Sequence, residues 1–341
     1  MYGGSNIMNT LKRKVPASEI LQKNVMVLIL LGMIVLMTFV NSNFFTLANG
    51  LNILRNMSVQ GIMACGMTML LIGGELDLSF GSTIGLTSVI ITQFCEKLPE
   101  YGISMGSAAV LGIIVSMVAA LAIGATNAFF VVKWRLPALL VTLSTQFAVY
   151  GIAGTITAGY PNYTLPDWWS VWGKEKIGEI PVCVLIFLGM LFLFYIIMGH
   201  TKFGRTIYAV GGNAEAARLS GINVAKYKYA MFMIMQATAC IAGLVFSSQL
   251  MGGTASYGSG VEFLVIAAVI IGGTSLNGGS GTMVGTFIGL LFMSVIMNAM
   301  TIANISEYPQ YVVRGLIMLF AIWMNSFQSI LAEKRKLKMS Q

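Results

Sequence analysis

Val261-Glu-Phe-Leu-Val-Ile-Ala-Ala-Val-Ile-Ile271, followed by Gly272-Gly273-Thr-Ser-Leu-Asn-Gly278-Gly279-Ser-Gly281, is an apolar run that stops too soon. As a helix it would reach about 16 Å, roughly half of a hydrocarbon core about 30 Å thick. The chain must continue through glycine or stop inside a membrane. The same form occurs earlier, in Ile72-Gly73-Gly74-Glu75-Leu76-Asp77-Leu78-Ser79-Phe80-Gly81-Ser82-Thr83. Aligning the two Ile-Gly-Gly triplets also brings Gly81-Ser82 close to Gly281-Thr282, a weak internal repeat. Glycines free peptide groups and allow close backbone approach, tolerable in a membrane only inside protein or along a wet cavity. Paired interruptions of this kind point to a transport path, although close helix packing through small residues would use the same glycines.

The surrounding sequence is 57% hydrophobic and 9% charged, against about a quarter charged in soluble domains. Lipid is therefore the expected solvent, and an all-α polytopic membrane protein the expected fold. Long apolar runs lie at 25–40, 107–132, 136–158, 181–198, 229–250, 282–303 and 310–327, with shorter ones at 59–72, 81–94 and 261–271, so about ten transmembrane helices are predicted. Of the 20 Lys and Arg, 15 fall in alternate loops on one side, which places that side and both termini in the cytoplasm. The other side holds Arg55, Lys97, Lys174, Lys176, Arg314 and most of the acids, Glu262 among them. The layout is a cytoplasmic segment (1–24), a transmembrane domain (25–328) with an outer loop at 159–180 and a cytoplasmic loop at 199–227, and a basic tail (329–341). Trp168, Trp169, Trp172, Tyr160 and Tyr163 suit an interfacial aromatic belt or a surface for an outside partner.

Cys65, Cys95, Cys183 and Cys240 are widely spaced and read as buried packing thiols, and the single histidine, His200, as an interfacial side chain. Neither a metal nor a cofactor is expected. The net charge of +8 is loop charge, with no nucleic-acid stripe.

Glu75 and Asp77 are costly, since a mid-membrane acid loses about 2.5–3.5 kcal/mol on insertion scales. Either Asp77 and Ser79 cap the following helix through backbone N–H groups, or Glu75 and Asp77 face a polar path. Thr142, Ser144, Thr145 and Gln146 form a polar run that suits a hydroxyl-rich solute or interhelical bonding equally. Arg314, a turn into the last run, reads as a side chain snorkelling to the interface.

In the loop at 199–227, Asn213-Ala-Glu215-Ala216-Ala217-Arg218-Leu-Ser-Gly221 reads as a short amphipathic helix with a glycine stop. Glu215-Ala216-Ala217, three residues and Gly221 resemble the coupling motif by which ABC importer permeases dock on their ATPases. With Gly73-Gly74-Glu-Leu-Asp-Leu-Ser and Ile270-Ile-Gly-Gly-Thr-Ser-Leu-Asn-Gly-Gly-Ser-Gly-Thr, the chain resembles the permease family of ribose, xylose and galactose ABC importers from about residue 45 to 327. The resemblance implies a non-catalytic subunit of a bacterial inner-membrane importer of a monosaccharide or similar solute. It implies a second permease copy or paralogue, two ATP-binding modules or one fused tandem ATPase, and an extracytoplasmic sugar-binding protein. Asn213, Glu215, Ala216, Ala217, Arg218 and Gly221 take the coupling role on that basis. Glu75 stands where the family's Gly-Gly-Ile-Asp-Leu-Ser has Ile, so this side chain inherits no role. Residues 273–278 have the glycine spacing of a phosphate loop without its lysine, so ATP must be hydrolysed elsewhere. The rival reading is an ion-coupled secondary transporter using Glu75 and Asp77; a membrane enzyme lacks any nucleophile, base or metal set.

Overall fold

Helix starts follow small polar residues that accept a backbone N–H two or three positions ahead, as N-caps do. Thr46, Ser104, Thr201, Asn213, Asn223 and Thr282 cap successive helices in this way. The structure, a computed structural model, describes residues 28, 30–39, 41 and 44–339, with side chains to residue 323. Its helices are α1 (Leu30–Phe39), α2 (Leu47–Ile72), α3 (Phe80–Lys97), α4 (Met105–Lys133), α5 (Ala138–Ile156), α6 (Val182–His200), α7 (Lys202–Gly212), α8 (Ala214–Leu219), α9 (Val224–Leu250), α10 (Val261–Ile271), α11 (Met283–Ile302) and α12 (Glu307–Met339). A two-residue hairpin, β1 (Lys176–Ile177) with β2 (Ile180–Pro181), is the only sheet among the described residues. The segment expected at 1–24 lies outside the described residues.

By length and composition α4, α5, α6, α9 and α11 can cross a membrane. Their outward faces carry bare apolar side chains such as Val118, Phe147, Phe192 and Leu193, the expected surface where lipid is the solvent. The interior belongs to α2, α3 and α9, with α9 packed on α2, α3 and α4. Nearly all of α2 from Met57 to Ile72 is buried, and so is α3 as far as Val89.

Two runs expected to be short are longer. α2 begins at Leu47 rather than 59, because Asn49, Asn52, Arg55 and Asn56 interrupt the apolar run but not the helix, and α3 extends through Lys97. α10 alone keeps the predicted half-length, with the bounds read from the sequence. The last helix does not end near 327 but continues as α12 to Met339.

The outer loop is pinned rather than splayed. Asn162 and Gly253 form an antiparallel bridge, and Asn162 Nδ2 donates to Glu96 Oε2 at 2.6 Å. Trp169 departs from the expected belt or docking surface. It is fully buried, its indole N–H donates to Ser247 Oγ at 3.1 Å, and its carbonyl accepts from Ser248. The four cysteines are unpaired and buried.

Candidate functional site

The two glycine interruptions end their helices by the same hydrogen bonds. After α2, Gly74 N–H donates to Leu71 and Glu75 N–H to Leu70; after α10, Gly273 N–H donates to Ile270 and Thr274 N–H to Val269. Gly73 and Gly272 stay in the helical region while Gly74 and Gly273 turn left-handed, at φ of 80° and 91°. This is the Schellman stop, whose left-handed residue would cost a side chain about 1–2 kcal/mol. The weak sequence repeat is therefore a repeated piece of backbone geometry.

The two stops meet. Gly279 N–H donates to the Ile72 carbonyl at 2.8 Å, and a Cβ on Gly278 would stand 2.9 Å from the Gly74 Cα. The end of α7 closes over both: a Cβ on Gly211 would run into the Ile72 carbonyl and stand 2.9 Å from Gly279 N, and Tyr208 Oη donates to the Gly281 carbonyl at 2.8 Å. Gly81, in the first turn of α3, lies elsewhere, against the Gly258 carbonyl and the Glu262 carboxylate.

Glu75 and Asp77 have separate partners. Glu75 pairs with Lys228 near the start of α9, a partner 153 positions away that no local pattern announces. Asp77 is wholly buried; its Oδ1 accepts from Ser79 N at 2.8 Å and Ser79 Oγ at 2.6 Å, and its Oδ2 from Gln236 Nε2 at 2.7 Å and Asn127 Nδ2 at 3.3 Å. The expected capping is thus half realised: Asp77 takes a backbone N–H ahead of α3, whereas Ser79 makes no side-chain cap and donates to Asp77 instead. The cluster joins the α2–α3 connection to α4 and α9, and Gln236 and Asn127 sat unnoticed within apolar runs.

In the polar run of α5, Thr142 and Ser144 return their hydroxyls to the carbonyls of Ala138 and Leu140. Gln146 reaches out, donating to Glu262 Oε1 at 2.7 Å. Glu262, counted among the acids of the outer side, is 2% exposed in the first turn of α10, where the chain from 251 to 260 has run back along α3 before α10 begins. Among the described residues no three His, Cys, Asp or Glu side chains gather as a metal-ligand set.

The loop at 199–227 is α7, α8 and their connections. Asn213 caps α8 by accepting Ala216 N–H at 2.9 Å, and Gly221, at φ 82°, ends it with a third Schellman stop. Glu215 and Arg218 are exposed and paired; the guanidinium hydrogen bond, with further help from Arg135, holds the Glu215 carboxyl below its usual range. Ala216 is exposed, Ala217 faces back into the chain, and Leu219 is 77% exposed, an apolar point that the motif did not single out.

A multi-pass helical bundle with half-length α10, twin glycine stops, α7 seated on both and the exposed α8 beyond it fits the class of membrane permeases. Residues 49–322 match the family described as branched-chain amino acid transport system / permease component. The ribose import permease protein RbsC of Escherichia coli (strain K12) is 34% identical over 305 residues, covering 87% of this chain and 91% of the relative. RbsC of Bacillus subtilis (strain 168) is 29% identical, covering 94% and 98%, and the xylose transport system permease protein XylH of Escherichia coli (strain K12) is 32% identical, covering 90% and 92%. The chain belongs to this permease family and to its ribose/xylose type of ABC sugar permeases. No solved structure matches it.

Proposed function

We propose that this chain is the membrane subunit of an ATP-driven bacterial inner-membrane importer for a monosaccharide or similar polyhydroxylated solute, and that α8 transmits the stroke of a partner ATPase. A second permease copy or paralogue would complete the path, and an extracytoplasmic sugar-binding protein would deliver the solute. In this reading the end carrying α7 and α8 faces the cytoplasm, which the Lys and Arg of its loops support. The carrying observation is the seat of α7: its Gly211 abuts both glycine stops, so a push on the exposed Glu215-Ala216-Arg218-Leu219 face has a rigid route to the interrupted helices. The relatives are permeases for ribose and xylose, which supports a sugar over an ion-coupled cargo. So do the committed partners of Glu75 and Asp77, which leave neither carboxylate as a bare ion site.

Alternating access follows: closure of the ATPases draws the α8 helices of two permeases together and tilts the bundles. Gly221→Val tests this. Nothing lies within 4 Å of its Cβ, so the substitution acts through about 1–3 kcal/mol of backbone strain at the α8 stop rather than through a clash. Uptake and sugar-stimulated ATP hydrolysis should vanish while membrane insertion persists. Gly178→Val, equally open at φ 64° in the outer loop, is the control and should transport normally. Uptake that survives Gly221→Val overturns the role given to this loop.

A further inference from the structure

At the end of the bundle opposite α7, three helices turn polar stripes toward one another. α2 carries Asn52, Asn56 and Gln60, each four residues apart and so on one face. α11 answers with Ser294, Asn298 and Thr301, and α12 with Gln310 and Arg314. Together they line a cavity of about 220 Å³ with Leu264, in the first turns of α10, at its inner edge. The cavity starts near the first residues of α2 and α12 and the last of α11. Gln60 lies 13 residues into α2, about 20 Å along the helix.

Polar residues in a bundle usually serve as interhelical bonds. Here only some do. Asn298 exchanges amide hydrogen bonds with Asn49 at 2.9 and 3.0 Å, Thr301 donates to its own helix at Met297, and Gln310 donates to the Ile305 carbonyl. Asn52, Asn56, Gln60 and Ser294 make no side-chain hydrogen bond to any described residue, and Arg314 offers its Nε–H only to the weak acceptor Met297 Sδ at 3.1 Å. Amides that make no side-chain hydrogen bond among the described residues, beside a guanidinium that lies over the Tyr311 ring at 5.0 Å and keeps further N–H groups to offer, can serve a ligand rich in hydroxyls, since amides both donate and accept. The volume is below the roughly 300–1,000 Å³ of drug-sized pockets, which suits a single sugar ring.

We propose that this cavity is a sugar-binding station, the first protein site that a neutral polyhydroxylated solute meets on entering the permease, with Asn56, Gln60 and Arg314 as its principal hydrogen-bonding groups. The proposal rests on the importer reading for its direction and its solute. The probe is D-ribose and the reporter is an Asn52→Cys variant of the full chain in nanodiscs, at the exposed mouth of the cavity and outside the three principal groups, alkylated by N-ethylmaleimide; the four native thiols are buried. Ribose at 100 mM, against an equal osmolarity of glycine betaine, should slow alkylation at position 52 at least threefold, and leave a Thr155→Cys variant, exposed on α5, unaffected. Equal rates with and without ribose at position 52 overturn the proposal. In proteoliposomes holding the partner ATPase and delivery protein, Gln60→Ala and Arg314→Met should lower ribose uptake about tenfold while ATP hydrolysis stimulated by the delivery protein persists. Wild-type uptake in both variants overturns the station but leaves the importer reading standing. ATP-independent uptake by the wild type, with ribose protection retained, would instead sink the importer reading and leave the cavity as a sugar site.

Discussion

The two polar regions inside this bundle are built on opposite terms. Around Asp77 every carboxylate oxygen has donors, drawn from the α2–α3 connection, α4 and α9, and the whole cluster is dry. In the cavity between α2, α11 and α12 the amides at 52, 56 and 60 have no side-chain hydrogen-bond partner among the described residues and line an open cavity. Satisfied polar groups in a low-dielectric interior bind helices to one another, and removing one strands the rest. Unsatisfied groups at a cavity wall contribute little to folding and stay available to something that enters. Polarity in a membrane protein thus separates into structure and function by who the partner is, not by residue type.

The sharpest way to break the comparison is Asp77→Ala, which takes the acceptor from Ser79 N–H and Ser79 Oγ in a buried site and leaves Gln236 and Asn127 to share Ser79 Oγ. Denaturation of the detergent-purified chain should show a loss of about 3 kcal/mol, since buried donors that lose their acceptor cost about 1–3 kcal/mol each; a loss below about 1 kcal/mol would mean that the cluster does not bind the helices. Gly211→Val, which puts branched carbon against backbone atoms of both stops, should cost about 1–3 kcal/mol as overpacking does, and uptake should fall with it. Lys228→Met leaves Glu75, its side chain 8% exposed, without its cation. The expected loss is about 1 kcal/mol, since Lys228 is partly in water, and a Glu75→Gln partner substitution should recover most of it. Asn56→Ala should change stability by no more than about 0.5 kcal/mol while lowering uptake. A large stability loss there would turn the cavity into a second Asp77-like cluster.

The bounds of half-length α10 were legible, because an apolar run of eleven residues enters Gly272-Gly273 directly. The exposed helix at Ala214–Leu219 was legible too, since Asn213 and Gly221 mark its two ends with cap chemistry. What stayed hidden depends on partners far along the chain. Glu75 and Lys228, Asp77 and Gln236, and Gln146 and Glu262 are each more than a hundred positions apart. Hydropathy also misjudged α2 at its start, where a helix supported by neighbours need not be apolar. Glu262 counted only as an acid of the outer side, and nothing local shows that the stretch after α9 runs back beside α3 and that Glu262 is buried.

Gly211 has a mechanical consequence. Because one α-carbon rests on the end of α2 and on the loop that follows α10, which already share the Gly279–Ile72 hydrogen bond, the three pieces form a yoke. Under the proposed coupling, tugging on α7 would shift both stops at the same moment, as one bar rather than two leaves.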